Sequence, residues 1–112
     1  ELTYKLEKKS FEVAHQYYHT EDYIAAIVAF DNLLSEYLGT SLKEDALYFK
    51  FKASYELAIN SVAFKKEERI KNALKFHDRF KRNFSNSSYL KETNKLLNNL
   101  HKEQEILLAA KN

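Results

Sequence analysis

The chain has 112 residues, among which there is one Gly and no Cys, Pro, Met or Trp. The absence of Cys excludes a disulfide scaffold and thiolate metal sites, and a single Gly excludes a Gly-rich phosphate-binding loop. The formal net charge of +2 conceals an asymmetry, because residues 1–64 carry 6 Lys and Arg against 10 Asp and Glu, whereas residues 65–112 carry 12 against 6.

Apolar residues recur at helical spacing along almost the whole chain, and no stretch shows the period-two alternation of a half-buried strand. A run of about 18 apolar residues, which a bilayer-spanning helix would need, does not occur. We therefore predict an all-α fold of about five antiparallel helices joined by short turns. Because the chain contains no Met, we also expect it to be a fragment of a longer protein.

The first helix is predicted over Leu2–His19, with two semi-apolar faces. One face consists of Leu6, Ser10, Val13, Ala14 and Tyr17. The other consists of Tyr4, Lys8, Phe11, His15 and Tyr18. A helix with two such faces needs two neighbours, or one neighbour and a ligand, and this favours a stacked array.

The second helix is predicted to start at Asp22, which is a good N-cap residue, and to end near Gly39. Gly39 is expected to take a left-handed conformation there, since Gly does so without steric cost. Ser41 followed by Glu44 reads as a capping box that opens the third helix. The buried stripe of the second helix is predicted to be Tyr23, Ala26, Ile27, Phe30, Leu33, Leu34 and Tyr37.

Three helices are predicted in the second half of the chain. A loop over residues 60–66 separates the third from the fourth, and Ser85–Ser88 separates the fourth from the fifth, since Ser and Asn side chains compete for backbone hydrogen bonds. The apolar positions of the third helix are Leu47, Phe51, Tyr55, Ala58 and Val62. Those of the fourth are Ile70, Ala73, Leu74, His77, Phe80 and Phe84. Those of the fifth are Leu96, Leu97, Leu100 and Leu107.

The segment from residue 13 to residue 30 resembles the tetratricopeptide repeat, a 34-residue helix-turn-helix unit. In that family small residues pack between the two helices where Ala14 and Ala26 stand. A stretched second copy follows, in which Phe51 takes the role of Val13 and nine residues are inserted. The resemblance implies one helical-repeat domain over residues 1–112, made of a repeat at 2–40, a stretched repeat at 41–87 and a C-terminal helix at 88–111. Glu21 stands where the family's turn usually has Gly.

Two longer stretches, at residues 23–37 and 44–69, resemble the C-terminal repeats of the BamD family of outer-membrane assembly lipoproteins in its Bacteroidetes-like form. The similarity covers roughly residues 6–97. It implies a location on the periplasmic face of the outer membrane, with attachment only through an N-terminal lipid outside this chain. It also implies that the repeats dock onto periplasmic domains of the barrel-forming subunit and onto accessory lipoproteins.

A first candidate site is the stripe along the first helix. Its residues are Lys8, Phe11, His15, Tyr18 and His19. These positions face the concave groove in peptide-binding members of the repeat family, but the same stripe could instead pack against a preceding repeat. His15 and His19 have a spacing that suits one metal ion, yet two ligands are too few, so no metal or cofactor is predicted.

A second candidate site is a basic face on the fourth helix. It consists of Lys71, Lys75, Arg79 and Arg82, which lie opposite the apolar stripe of that helix. The face is either an ordinary solvated surface or a docking site for an acidic partner protein. Few aromatics flank it for base stacking, so nucleic acid is not favoured.

The predicted function is that of a protein-binding scaffold, part of the machinery that assembles outer-membrane β-barrel proteins. Acidic residues are scattered along solvent faces and do not converge in a pocket, so neither an enzyme nor a small-molecule substrate is expected. The alternative is an unrelated tetratricopeptide-repeat adaptor or co-chaperone that binds peptide segments.

Overall fold

The computed structural model describes residues 2–111, so Glu1 and Asn112 of the predicted domain lie outside the described residues. Five helices follow one another: α1 Leu2–His19, α2 Tyr23–Glu36, α3 Lys43–Ile59, α4 Ala63–Asn83 and α5 Leu90–Lys111. The part of the chain that the structure describes contains no strand. The predicted all-α fold with five helices is therefore confirmed.

The helices stack as hairpins along a body of 56 × 28 × 19 Å. Each helix packs on the next, and α3 also contacts α1 and α5, whereas the backbones of α2 and α4 do not approach each other closely. Three side-chain hydrogen bonds link α3 to α5 or to Tyr89, the residue before α5, and each joins residues 44 positions apart, for example Asn99 to Tyr55. A constant offset means that these two helices run parallel. The array thus has α1, α3 and α5 on an inner side and α2 and α4 on an outer side, as in tetratricopeptide-type stacks.

The turn between α1 and α2 uses the predicted N-cap. The Asp22 carboxylate accepts a hydrogen bond of 3.3 Å from the Ala25 amide. The preceding residue, Glu21, has a left-handed backbone with φ of 63°, the conformation that favours Gly. This is the turn position at which tetratricopeptide repeats usually have Gly.

The prediction for Gly39 is wrong, because Gly39 does not have a positive φ. α2 ends earlier, at Glu36, where the Tyr37 amide donates to the Leu33 carbonyl and the Thr40 amide donates to the Tyr37 carbonyl. These turn hydrogen bonds satisfy backbone groups that a left-handed cap would otherwise satisfy.

The predicted capping box at Ser41 and Glu44 is also wrong. The N-cap of α3 is Leu42, which has no side-chain cap bond. Instead, the hydroxyl of the nearly buried Thr40 accepts a 3.1 Å hydrogen bond from the Leu42 amide. The loop predicted at residues 60–66 is shorter than expected, because α4 already begins at Ala63.

The core consists of two adjoining clusters of buried side chains. The first joins α1, α2 and α3 with Phe80 of α4 and includes Ala14, Ala26 and Phe30, none of which is exposed to solvent. The second joins α3, α4 and α5 around Phe51 and Leu100. α3 contributes to both clusters, and every one of its 17 residues is at least partly buried.

The second helical hairpin is longer than the first, and its extra residues lie at the start of α4. Phe11 contacts His15 one turn later and Phe30 of α2, and Phe51 contacts Tyr55 one turn later and His77 of α4. Phe51 is therefore the counterpart of Phe11, and not of Val13 as the repeat alignment predicted. α4 has 21 residues where α2 has 14, so the insertion consists of seven residues, or two helical turns.

Candidate protein-binding surfaces

The basic face of α4 is exposed as a whole. Lys71, Lys75, Arg79 and Arg82 all lie in solvent, and the opposite side of the helix is buried. The Lys71 ammonium is 3.9 Å from the Glu67 carboxylate, and the Arg82 guanidinium is 2.9 Å from that of Asp78. Within residues 2–111, Lys75 and Arg79 form no ion pair. Two of the four cations therefore have no carboxylate partner within the described part of the chain.

A groove runs between α2 and α4, because the backbones of these two outer helices stand apart. We call it the outer groove; its volume is about 430 Å³. Its lining residues are Asp31, Asn32, Leu34, Ser35, Leu38 and Arg79. Arg79 is the member of the basic face that lines it, and Leu38, which is 82% exposed, lies at its α2 side. The groove thus combines a cation with an exposed apolar side chain.

A buried cation on α3 connects the two sides of the outer groove. Lys50 is only 5% exposed, and its ammonium lies 2.5 Å from the Asp31 carboxylate of α2 and 4.0 Å from the centre of the Phe76 ring of α4. A buried ammonium needs such a partner, because its desolvation is costly. Lys50 is not among the site residues predicted from the sequence. Its position one turn from Ala46 and from Ala53, on an otherwise mainly apolar helix face, is the signal that could have found it.

The predicted groove stripe of α1 lies mainly between α1 and α3. The rings of Phe11, His15 and Tyr18 are partly buried, and all three approach Phe49 of α3, with ring centroids 4.6–6.1 Å apart. Lys8 and His19, at the margins of the stripe, are exposed. The stripe therefore meets the hairpin that follows it in the array.

The two His residues of this stripe touch each other, with ring centroids 4.8 Å apart. Burial lowers the pKa of His15, and the neighbouring His19 lowers it further. Among the described residues, no group of three or more His, Asp or Glu side chains is arranged to hold a metal ion.

The inner side of the α3–α5 contact is a network of rings and charges. The Tyr48 and Tyr89 rings stack with centroids 3.7 Å apart, and the Tyr48 hydroxyl donates to the Glu92 carboxylate. The Lys52 ammonium is 3.1 Å from the same carboxylate. Burial acts to lower the pKa of Lys52, but its bonds to Glu92 and Tyr48 outweigh burial and raise that pKa. These groups are occupied with one another and hold α5 in place.

A third surface is the side of the first hairpin that faces away from α3. Of the face predicted along α1, Ala14 is fully buried, while Leu6, Val13 and Tyr17 are 40–49% exposed. Val28 of α2 lies beside them and is also exposed, and together these helices line a groove of about 540 Å³. This surface is mainly apolar.

His77 lies on the apolar side of α4, as predicted, and is buried. Its Nε2 atom is 3.2 Å from the Thr93 hydroxyl of α5. Burial lowers the pKa of His77 below its usual value of 6.5, and the nearby Lys81 lowers it further. Protonation of this ring would therefore oppose the docking of α5.

We expect the stability of the protein to fall between pH 7.5 and pH 5.5 because of this ring. The unfolded chain binds a proton near pH 6.5, whereas folded His77 resists it. The contribution of neutral His77 to stability is therefore fully present above pH 6.5, and it is lost as the pH falls towards the folded-state pKa of this residue. Urea unfolding at the two pH values measures the change. The His77→Gln variant should show a smaller loss, the remainder arising from His15, whose pKa is lowered in the same sense. An equal loss in the variant would contradict this assignment.

Comparison with known proteins identifies no family for this chain. The sequence matches no protein-family model and none of the curated proteins with which it was compared. Each helix within residues 2–111 is too short or too polar to cross a bilayer.

Proposed function

We propose that this chain is a protein-binding scaffold that docks the basic face of α4 onto an acidic surface of a partner protein. The observation that carries the proposal is the exposure of four cations on one outer helix, two of which have no carboxylate partner among the described residues. Charges arranged in this way attract a surface of opposite sign and fix its orientation.

The surroundings of the basic face favour protein over nucleic acid. The outer groove beside Arg79 is lined by a carboxylate, an amide, a hydroxyl and two Leu side chains, and no aromatic ring lines it. Asp31 would repel a phosphate backbone, and single-stranded nucleic acid would find no stacking surface there. A protein segment with both apolar and acidic side chains fits these groups better.

For the partner, we propose the periplasmic domains of the barrel-forming subunit of the outer-membrane assembly machinery, with accessory lipoproteins as further partners. The resemblance of residues 23–37 and 44–69 to the BamD family supports this choice. The same resemblance supports a place on the periplasmic face of the outer membrane.

The alternative of an adaptor that binds peptide tails along the predicted groove stripe of α1 has less support. The rings of Phe11, His15 and Tyr18 are already engaged with Phe49. Lys8 and His19 are the exposed members of that stripe, which is a small polar surface for a peptide.

Charge reversal of the basic face tests the proposal. Affinity for the purified periplasmic domains of the barrel-forming subunit is measured by calorimetry for the wild type and for the variant Lys71→Glu, Lys75→Glu, Arg79→Glu and Arg82→Glu. We expect affinity to fall about tenfold or more, because like charges then face each other across the interface. Circular dichroism should show an unchanged helical fold, since all four side chains are exposed.

A matched control reverses four exposed Lys residues on other helices: Lys9, Lys91, Lys95 and Lys102. This variant has the same net charge as the first, so a general electrostatic effect would weaken both equally. Equal weakening, or an unchanged affinity of the first variant, would count against the basic face. A wild-type protein that does not bind these domains would refute the proposed partner.

A further inference from the structure

We propose that the outer groove between α2 and α4 seats an acidic amphipathic segment of a partner protein, with a carboxylate on Arg79 and an apolar side chain against Leu34 and Leu38. This inference rests on the proposed function, because it names the seat and the chemistry of the partner on the same side of the molecule. It goes further in assigning different roles to the four cations of the basic face.

The groove offers one cation in a position to receive a carboxylate. Arg79 lines the groove, is exposed, and forms no ion pair with any residue in the range 2–111. Lys71 and Arg82 already have Glu67 and Asp78 beside them. A guanidinium can bind a carboxylate through two parallel hydrogen bonds, which fixes the direction of the partner as well as its place. We therefore assign Arg79 as the cation that binds the carboxylate of the partner segment.

The groove also offers an apolar contact next to that cation. Leu38 is 82% exposed in the turn after α2, although an isolated Leu gains from burial. Leu34, one turn earlier, is buried and closes the wall beneath it. An apolar side chain of the partner that covers Leu38 would remove apolar surface from water beside the Arg79 contact.

The remaining lining decides which kind of anion fits. The Asp31 carboxylate is 47% exposed at the groove and is held by Lys50 from below. A strongly anionic ligand such as a phosphate chain would meet this carboxylate, whereas a segment with spaced acidic residues can avoid it. The Asn32 amide and the Ser35 hydroxyl are polar groups for the rest of the segment. The lining therefore fits an acidic peptide segment rather than a polyanion.

The groove is present before any partner arrives. Lys50 is buried in α3 and contacts Asp31 of α2 and Phe76 of α4, so the two walls are connected through the helix beneath them. A site that does not have to be ordered on binding loses less conformational entropy.

A selection experiment tests the inference without the barrel-forming subunit. A display library of random 16-residue peptides is selected against the full 112-residue chain, and the enriched peptides are measured on wild type and variants by fluorescence anisotropy. We expect enrichment of peptides that contain Asp or Glu together with Leu, Ile or Phe. Their affinity should fall about tenfold or more on Arg79→Gln and on Leu38→Asp.

Two matched variants serve as controls. Lys81→Gln removes an exposed cation of the same helix that lies outside the basic face, and Leu108→Asp places a charge on an exposed Leu near the end of α5. Both should bind the selected peptides within about twofold of the wild type, since neither residue lines the groove. Chemical-shift changes in the NMR spectrum should map to α2 and α4.

Each other result overturns the inference. The inference is wrong if no peptide is enriched or if the enriched peptides lack acidic residues. It is also wrong if the chemical-shift changes are confined to the inner side of the array. Equal weakening by the control variants would also overturn it. Because the subunit is absent from this experiment, its outcome is independent of whether the proposed partner binds.

Discussion

Phe51→Ala is expected to lower the free energy of unfolding by about 3–5 kcal/mol, the usual cost of truncating a buried Phe. The Phe51 ring is completely buried in the cluster shared by α3, α4 and α5. It also packs edge-on against His77, with ring centroids 5.0 Å apart. Its removal leaves a cavity where two helices join the central one. Urea unfolding followed by circular dichroism measures the loss.

The chain contains its own control for this substitution. Phe64, in the first turn of α4, is 84% exposed, so Phe64→Ala removes the same atoms from solvent instead of from the core. Its effect should stay within about 0.5 kcal/mol. A similar loss in both variants would mean that burial in the second cluster does not dominate the stability of the array.

Asp31→Ala is expected to cost about 3 kcal/mol, towards the lower end of the range for breaking a buried ion pair, since Asp31 itself is half exposed. The substitution removes the carboxylate 2.5 Å from the buried Lys50 ammonium and leaves that charge without an acidic partner. The Phe76 ring, 4.0 Å away, compensates only in part, because a cation–π contact contributes about 0.5–2 kcal/mol.

The opposite substitution should be far milder. Lys50→Met removes the buried charge and leaves a carboxylate that water can still reach, and the Met thioether can pack on the Phe76 ring. We expect a change within about 1 kcal/mol in thermal or urea unfolding. In the double variant Asp31→Ala, Lys50→Met, most of the loss from Asp31→Ala should disappear. A double variant as unstable as Asp31→Ala would show that Asp31 acts through something other than Lys50.

The helices themselves could be predicted from the sequence because their apolar residues repeat at helical spacing over many turns. The bounds of α1 and the N-cap at Asp22 followed from this pattern and from a side chain that serves its own backbone. Such local signals survive in the folded protein when tertiary contacts do not compete with them.

The turns show where local signals fail. Gly39 was the obvious left-handed residue, yet Glu21 in the turn between α1 and α2 has that conformation and Gly39 does not. Thr40, and not Ser41, bonds to the start of α3, since Thr40 is the residue that packing brings against the Leu42 amide. Which residue caps a helix thus depends on the path of the chain through the stack.

Of the candidate site, the basic face could be predicted from the sequence. The spacing of Lys71, Lys75, Arg79 and Arg82 places them on one side of a helix, and that side is exposed. The outer groove could not be predicted, because it exists only where α2 and α4 stand apart over α3. Leu38 acquires its significance from this arrangement, which no property of its immediate neighbours in the sequence reveals.

The position of α3 between the other four helices has a consequence for attempts to divide the protein. None of its residues is exposed, and it packs against all four other helices. If the chain were cut between α2 and α3, the first fragment would lose the surface that covers Phe30, and the second would expose the Ala46 and Ala53 side of α3. Neither half should persist as a folded module, although each contains a complete helical hairpin. Limited proteolysis of this connection should therefore be followed by rapid degradation of both products.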